Sequence, residues 1–347
     1  MPTRATLKTL AILQPNRPTA VAVTPTGKVY FVQATDDGRD LLLTLGPREL
    51  PEPTALTSSR VAEELGDPTM VGNFQALCAD RDGRLWFYFV GRPTASRRAP
   101  AYAVGLYDPL TTRLRLYAGT RELLAATRMG AAIELVDVDL VATDTRLWLW
   151  LRHIDAGELL AIDLTRLPSQ GPAGLIRPVV RVACGDETLP MTQTRPPGRL
   201  SPASRTGDDL LFVEPHTGGL FRIDPVGRAT LLSTLIGLPG ALSPAATIEP
   251  APGDPPRYLL AAGDADPIEP KVESRLDAAP FDTHFPALLV FEPGQRGAAI
   301  PHQKISARPG LPVYALRLQT LCPDATPHAF VTYDAASGEL MRLTLKY

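Results

Sequence analysis

Apolar and polar positions alternate along this 347-residue chain in one recurring order. A short apolar run meets a turn, then a second run rich in β-branched and aromatic residues, then a loop and a third run that closes on an acidic residue. The first copy is Ala20-Val21-Ala22-Val23, the turn Thr24-Pro25-Thr26-Gly27, and Val29-Tyr30-Phe31-Val32. The second is Ala76-Leu77-Cys78-Ala79, Asp80-Arg81-Asp82-Gly83 and Leu85-Trp86-Phe87-Tyr88-Phe89. A third runs from Val138 to Leu151, and a fourth places Asp208-Asp209 before Leu210-Leu211-Phe212-Val213. Tyr258-Leu259-Leu260 marks a poorer fifth. A sixth runs from Leu316 to Tyr333, with Pro323-Asp324 in its turn. Runs of this length and composition, separated by Gly, Pro and Asp, predict strands joined as hairpins.

The later strands of each unit end alike: Gly105-Leu106-Tyr107-Asp108-Pro109, Leu160-Ala161-Ile162-Asp163, Phe221-Arg222-Ile223-Asp224-Pro225 and Val290-Phe291-Glu292-Pro293. An acid followed by proline suits a tight turn, because the carboxylate accepts turn amides and proline presets φ. Asp108, Asp163, Asp224 and Glu292 therefore read as hairpin residues rather than catalytic acids. Units that cannot bury their own faces must stack to make a core. The pattern predicts an all-β six-bladed β-propeller of four-stranded antiparallel blades in a single domain over 1–347. The blades span approximately 17–60, 74–119, 133–184, 198–238, 244–308 and 311–347. The sixth unit supplies three strands, and Leu7–Leu13 is a strand-like run without a partner of its own; placing it outside the last blade closes the ring and removes an open edge. Arg60–Leu65 and Thr120–Met129 have helical composition, with Ser58 or Ser59 and Thr120 as caps, and read as short helices between blades.

The strand, Asp/Pro-containing turn, glycine and β-rich strand of units one, two and six resemble the NHL-repeat and SMP-30/gluconolactonase-like six-bladed propellers. For the lactonase-like members the resemblance implies a divalent cation in the central channel, held by carboxylates and an asparagine. Asn73, placed immediately before the first strand of the second blade, is the one residue that could occupy the asparagine position. The family's acidic ligands find no residue-by-residue match, and an asparagine before a strand is also an ordinary turn residue.

With 44% hydrophobic and 21% charged residues, the chain can build a sizeable core, and no apolar run is long enough to cross a membrane. A formal net charge of −2 lacks the basic excess that binding to phosphate backbones requires, so no nucleic-acid partner is expected. The cysteines, Cys78, Cys184 and Cys322, form no CxxC pair and read as buried small hydrophobes. The N-terminus carries too few apolar residues after Arg4 and Lys8 for a signal-peptide core, so the expected location is cytoplasmic.

Two sets of residues merit weighing for chemistry. His153, His216 and His284 fall on one face of adjacent blades near Asp155, Glu214, Asp264, Asp266 and Asp282, so a His/carboxylate metal site is chemically conceivable, with Asn73 a further donor. Loops on separate blades lie well apart, however, and ligands must converge within about 2.0–2.2 Å of one ion. No cofactor is expected, a divalent cation being the one candidate.

The second set lies in the unequal loops. Gly91–Ala101 and Gly263–Pro286 are long second-to-third connections on blades that stand opposite one another in a ring of six. The first holds Arg92, Arg97 and Arg98. The second holds Asp264, Asp266, Glu269, Glu273, Asp277 and Asp282 against Lys271 and Arg275, with an apolar tip of Phe281, His284 and Phe285. No GxSxG, HExxH, P-loop or GxGxxG motif stands in a suitable context. The reading is a non-enzymatic interaction or structural module that presents these loops to a protein partner or to copies of itself. The alternatives are a metal-dependent lactonase or lyase using the central channel, and a propeller that binds a small molecule or glycan.

Overall fold

The computed structural model describes residues 2, 4–13, 20–46, 49–94, 100–126, 137–152, 157–166, 176–179, 181–184, 187–190, 200–204, 206–214, 219–234, 245–248, 254–262, 287–293, 298–300, 302–305, 318, 320–334 and 337–347. Its strands form six separate sheets. Blade 1 is a meander of Val21–Val23, Val29–Ala34, Asp40–Leu45 and Pro51–Thr57. Blade 2 repeats it with Val71–Ala79, Leu85–Arg92, Ala101–Asp108 and Arg113–Gly119. Blade 3 uses Asp137–Ala142, Arg146–Arg152, Gly157–Asp163 and Ile176–Val179. Blade 4 uses Leu200–Pro202, Leu210–Glu214, Gly219–Ile223 and Arg228–Thr234; blade 5 uses Ala245–Ile248, Arg257–Ala262, Ala287–Phe291 and Ala298–Ile300.

Blade 6 contains Cys322–Pro323, Ala329–Asp334 and Glu339–Lys346, and its fourth strand is the N-terminal Arg4–Ile12. The pairing is antiparallel from Arg4 opposite Lys346 to Ile12 opposite Glu339. The ring is therefore closed by its N-terminus, as the unpaired run at Leu7–Leu13 predicts.

Each gap between neighbouring blades is filled by one hydrophobic cluster, so the core is a ring of six small cores. Tyr30 and Val32 of blade 1 meet Phe87 and Phe89 of blade 2. Trp86 and Tyr88 on the other side of that strand meet Leu147, Leu149 and Leu151 of blade 3, and Trp148 and Trp150 of blade 3 meet Phe212 of blade 4. At the seam, Val331 and Tyr333 of blade 6 pack on Val29 and Phe31. This explains why the second run of each unit is apolar throughout rather than alternating. A strand with a blade stacked on both faces has no solvent side.

Two chain segments cross from one blade to the next, which the sequence does not foretell. After Ile176–Val179 closes blade 3, Arg181–Cys184 lies parallel against the outer strand of blade 4, Ala183 opposite Arg228 and Cys184 opposite Ala229. Glu187–Pro190 then pairs back on it, giving that sheet six strands. After blade 5, His302–Ile305 lies parallel to the closing strand, Ala5 opposite His302 through Lys8 opposite Ile305. The limits expected at 184 and 308 are thus too late. In the sequence Pro178 and Pro301 stand shortly before the two crossing strands. The first strand of blade 2 begins at Val71 rather than 74 and carries a bulge between Phe74 and Ala76.

Helices α1 (Ser58–Glu64) and α2 (Thr120–Ala126) leave blades 1 and 2 at the expected places, with different caps. Thr57, not Ser58 or Ser59, caps α1: its side chain accepts the Arg60 amide at 3.2 Å. Gly66 at φ 80° ends it, its amide bonded to the Glu63 carbonyl at 2.9 Å and the Asp67 amide to the Ala62 carbonyl at 3.0 Å. In α2 the Gly119 amide is accepted by Glu122 Oε2 at 3.0 Å. The hydroxyls expected to cap do something else. Ser58 Oγ accepts the Asp40 amide at 3.0 Å and Thr120 Oγ1 accepts the Tyr102 amide at 2.8 Å. Each thereby extends its blade's outer ladder by one rung after the backbone has turned into a helix.

Candidate interaction face

In such a meander the second-to-third connections and the links between blades emerge on one face, and the first-to-second and third-to-fourth turns on the other. The acids expected in turns lie on the latter. Asp108 Oδ1 accepts the amide of Leu110 at 2.9 Å, and its Oδ2 the hydroxyl of Thr111 at 2.6 Å. The Thr111 hydroxyl is the main reason its carboxyl sits below the ordinary range. Asp163 accepts from the amide and hydroxyl of Thr165 at 3.0 and 2.6 Å, and Asp224 from the amides of Val226 and Arg228 at 3.0 and 2.8 Å. Glu292 differs: it receives Arg257 Nε at 2.8 Å, joining the second and third strands of blade 5.

On the opposite face, Arg92 ends the second strand of blade 2, exposed and without an ion pair among the described residues. Arg97, Arg98, Phe281, His284 and Phe285 lie outside the described residues, as do His153 and His216. Asn73 is inside the first strand of blade 2, opposite Val90, not in a turn before it. Its amide donates to the Gly38 carbonyl and to Asp40 Oδ1, both at 3.2 Å. Asp40 is 4% exposed, and its other oxygen accepts the Phe74 amide at 2.8 Å. The pair stitches blade 1 to blade 2. Among the described residues no group of three His, Cys, Asp or Glu side chains is placed to hold one ion.

Sequence reasoning missed these blade staples. Asp139 on the inner strand of blade 3 accepts the Leu200 amide of blade 4 at 2.8 Å. Asp208 in blade 4 reaches back to blade 3, accepting the Thr143 hydroxyl at 2.8 Å and the Thr145 amide at 2.7 Å. Burial pushes the Asp208 carboxyl up, but the bonds from Thr145 and Thr143 hold it below its ordinary value. Asp139 and Asp208 reach partners 61 to 65 residues away in the chain, so no local signal marks them. A third feature also escaped notice. Asp334 and Glu339, 1% and 0% exposed, face each other across the blade 6 hairpin, and Ser337 Oγ donates to both, at 2.6 and 3.3 Å.

Cys78 and Cys322, on the inner strands of blades 2 and 6, are half-buried rather than fully buried. Desolvation pushes the Cys322 thiol up to about 12 and the Cys78 thiol well above its ordinary value. Cys184 lies in the segment crossing to blade 4.

No family model matches the chain, and no curated protein matches it. Among solved structures it is similar to an auxiliary nutrient binding protein from Bacteroides ovatus, at 8% identity over 97% of this chain and 70% of that one, with a TM-score of 0.54. It is similar to the Hadza microbial sialidase Hz136 at 10% identity, 96% and 66% coverage and a TM-score of 0.55. Virginiamycin B lyase from Staphylococcus aureus matches at 12% identity over 98% and 99%, with a TM-score of 0.47. The likeness is one of fold. The six-bladed propeller itself is read from the six sheets of the chain. No helix among the described residues is long and apolar enough to cross a membrane.

Proposed function

We propose that this propeller is a non-enzymatic interaction module that presents the long second-to-third loops of blades 2 and 5 to a protein partner, which can be a further copy of itself. The observation that carries this reading is a charge asymmetry across the ring. Residues 71–126, blade 2 with α2, hold eight arginines against four carboxylates, whereas blade 5 and its crossing strand, 245–305, hold nine carboxylates against five basic residues. A chain of net charge −2 thus carries opposite charge on opposite blades. Such an arrangement steers and orients a complementary partner. Among the described residues, the turn acids Asp108, Asp163 and Asp224 and the inter-blade acids Asp40, Asp139 and Asp208 are engaged in hydrogen bonds that hold the fold, which favours recognition over hydrolysis. Neighbours of this fold carry names of both kinds, a nutrient binding protein and a sialidase, so the choice rests on the loops.

The test is mild cross-linking of the tagged protein in its native cell extract. A recurrent stoichiometric protein, or self-cross-links mapping to 91–101 and 263–286, is expected, and reversing the charge of Arg92, Arg97 and Arg98 should lower the yield about tenfold. An uncross-linked monomer that turns over lactones or esters sinks the reading.

A further inference from the structure

The outer edges of the six blades are not equivalent. Each fourth strand has one side without a ladder partner in its own blade, and such edges invite other chains unless guarded. Blade 1 carries Pro51 and Pro53 in its outer strand, and blade 3 carries Pro178. Blade 5 ends on the three residues Ala298–Ile300. Blades 4 and 6 have a parallel strand laid over their outer strands at Arg228–Ala229 and Ala5–Lys8. Blade 2 alone has an outer strand of seven residues, Arg113–Gly119, with neither proline nor a covering strand among the described residues, and it runs regularly from Arg113 to Leu116 before a bulge at Tyr117.

We propose that this edge takes an extended segment of a partner protein as a fifth strand of blade 2, with acidic side chains of the segment against Arg113 and Arg115. The surface is separate from the loop-bearing face and does not depend on it. Arg113 and Arg115 project from the same side of the strand, both exposed, and neither has an ion pair among the described residues. Leu114 and Leu116, on the other side, are half-buried against the core between blades 1 and 2. An added strand would therefore meet guanidinium groups on one face and aliphatic groups on the other, which selects a segment alternating acidic and aliphatic residues. The edge is also held ready: Arg60 Nη2 of α1 donates to the Thr112 carbonyl at 2.8 Å where the strand begins. The molecule already uses this mode twice in cis, on blades 4 and 6.

The probe is a fluorescein-labelled octapeptide of alternating glutamate and valine, titrated into the intact protein and followed by anisotropy. A peptide of the same composition with its glutamates in one block should bind about tenfold more weakly or worse, as should the alternating peptide against R113E/R115E. Because both arginines are exposed, the double variant should keep the far-ultraviolet spectrum of the parent. N-methylation at every second residue should abolish binding in one register and spare it in the other, since only one set of amides faces the ladder. Hydrogen exchange on the unaltered protein should show new protection within 113–119. Absence of binding, equal affinity for the block peptide, indifference to R113E/R115E, tolerance of N-methylation in both registers, or protection confined to 91–101 each overturns the proposal.

Discussion

Among the described residues, three side-chain polar atoms are sealed without a hydrogen-bond partner: Tyr88 Oη, Trp150 Nε1 and Thr332 Oγ1. All three residues are 0% exposed and stand on second strands, where a blade presses on each face. A buried hydroxyl without a partner carries a desolvation penalty of about 1–3 kcal/mol, whereas an apolar group of the same shape carries none. The ring of Tyr88 stacks on Tyr102 with centroids 6.3 Å apart, a contact that phenylalanine would keep. Tyr88→Phe should therefore leave urea stability unchanged or raise it by about 1 kcal/mol. A loss beyond 1 kcal/mol would show that the hydroxyl is satisfied in solution. The aromatic character of position 88 was legible in the sequence, because the second strand is apolar on both faces. The isolation of its hydroxyl was not, since it depends on what blade 3 brings to the same cavity.

Elements were legible where their pattern is local. The first-to-second hairpins, the acidic turns at Asp108, Asp163 and Asp224, and both helices follow from short-range spacing. The cap of α1 was misplaced by one residue because Ser58 answers to the ladder of blade 1, a contact 18 residues away in the chain. The blade crossings and the staples through Asp40, Asp139 and Asp208 are longer-range still, and nothing local marks them. Asp208 offers a test of such a staple. Its carboxyl is lowered in the folded protein, so the stability it contributes is present above its unfolded value, about pH 4, and is lost as pH falls through the lower folded value. Asp208→Asn should weaken the junction of blades 3 and 4 by about 1–3 kcal/mol at pH 7, read as a lowered urea midpoint. The two proteins should converge in stability below about pH 3. A difference that persists undiminished there would mean that the charge of Asp208 has no part in the staple.

Because the six cores lie between blades rather than within them, every blade depends on both neighbours, and the ring has a single seam. That seam is the pairing of Arg4–Ile12 with Glu339–Lys346, with Leu7 0% exposed at its centre. Replacing Leu7 by alanine should cost about 2–5 kcal/mol, as for other buried leucines. Deleting residues 2–13 should do more, since it leaves blade 6 with three strands and uncovers Leu343 and Leu345 of the partner strand. The effect should reach the far side of the ring. Trp86, Trp148 and Trp150 sit in the cores between blades 2 and 3 and between blades 3 and 4, remote from the seam. If closure holds the whole ring under one cooperative transition, the deletion should red-shift tryptophan emission and broaden urea unfolding, and a synthetic peptide of residues 2–13 added in trans should restore both. Unchanged tryptophan emission, with loss of structure confined to blade 6, would instead show that the blades hold one another locally and that the N-terminal strand protects only its own edge.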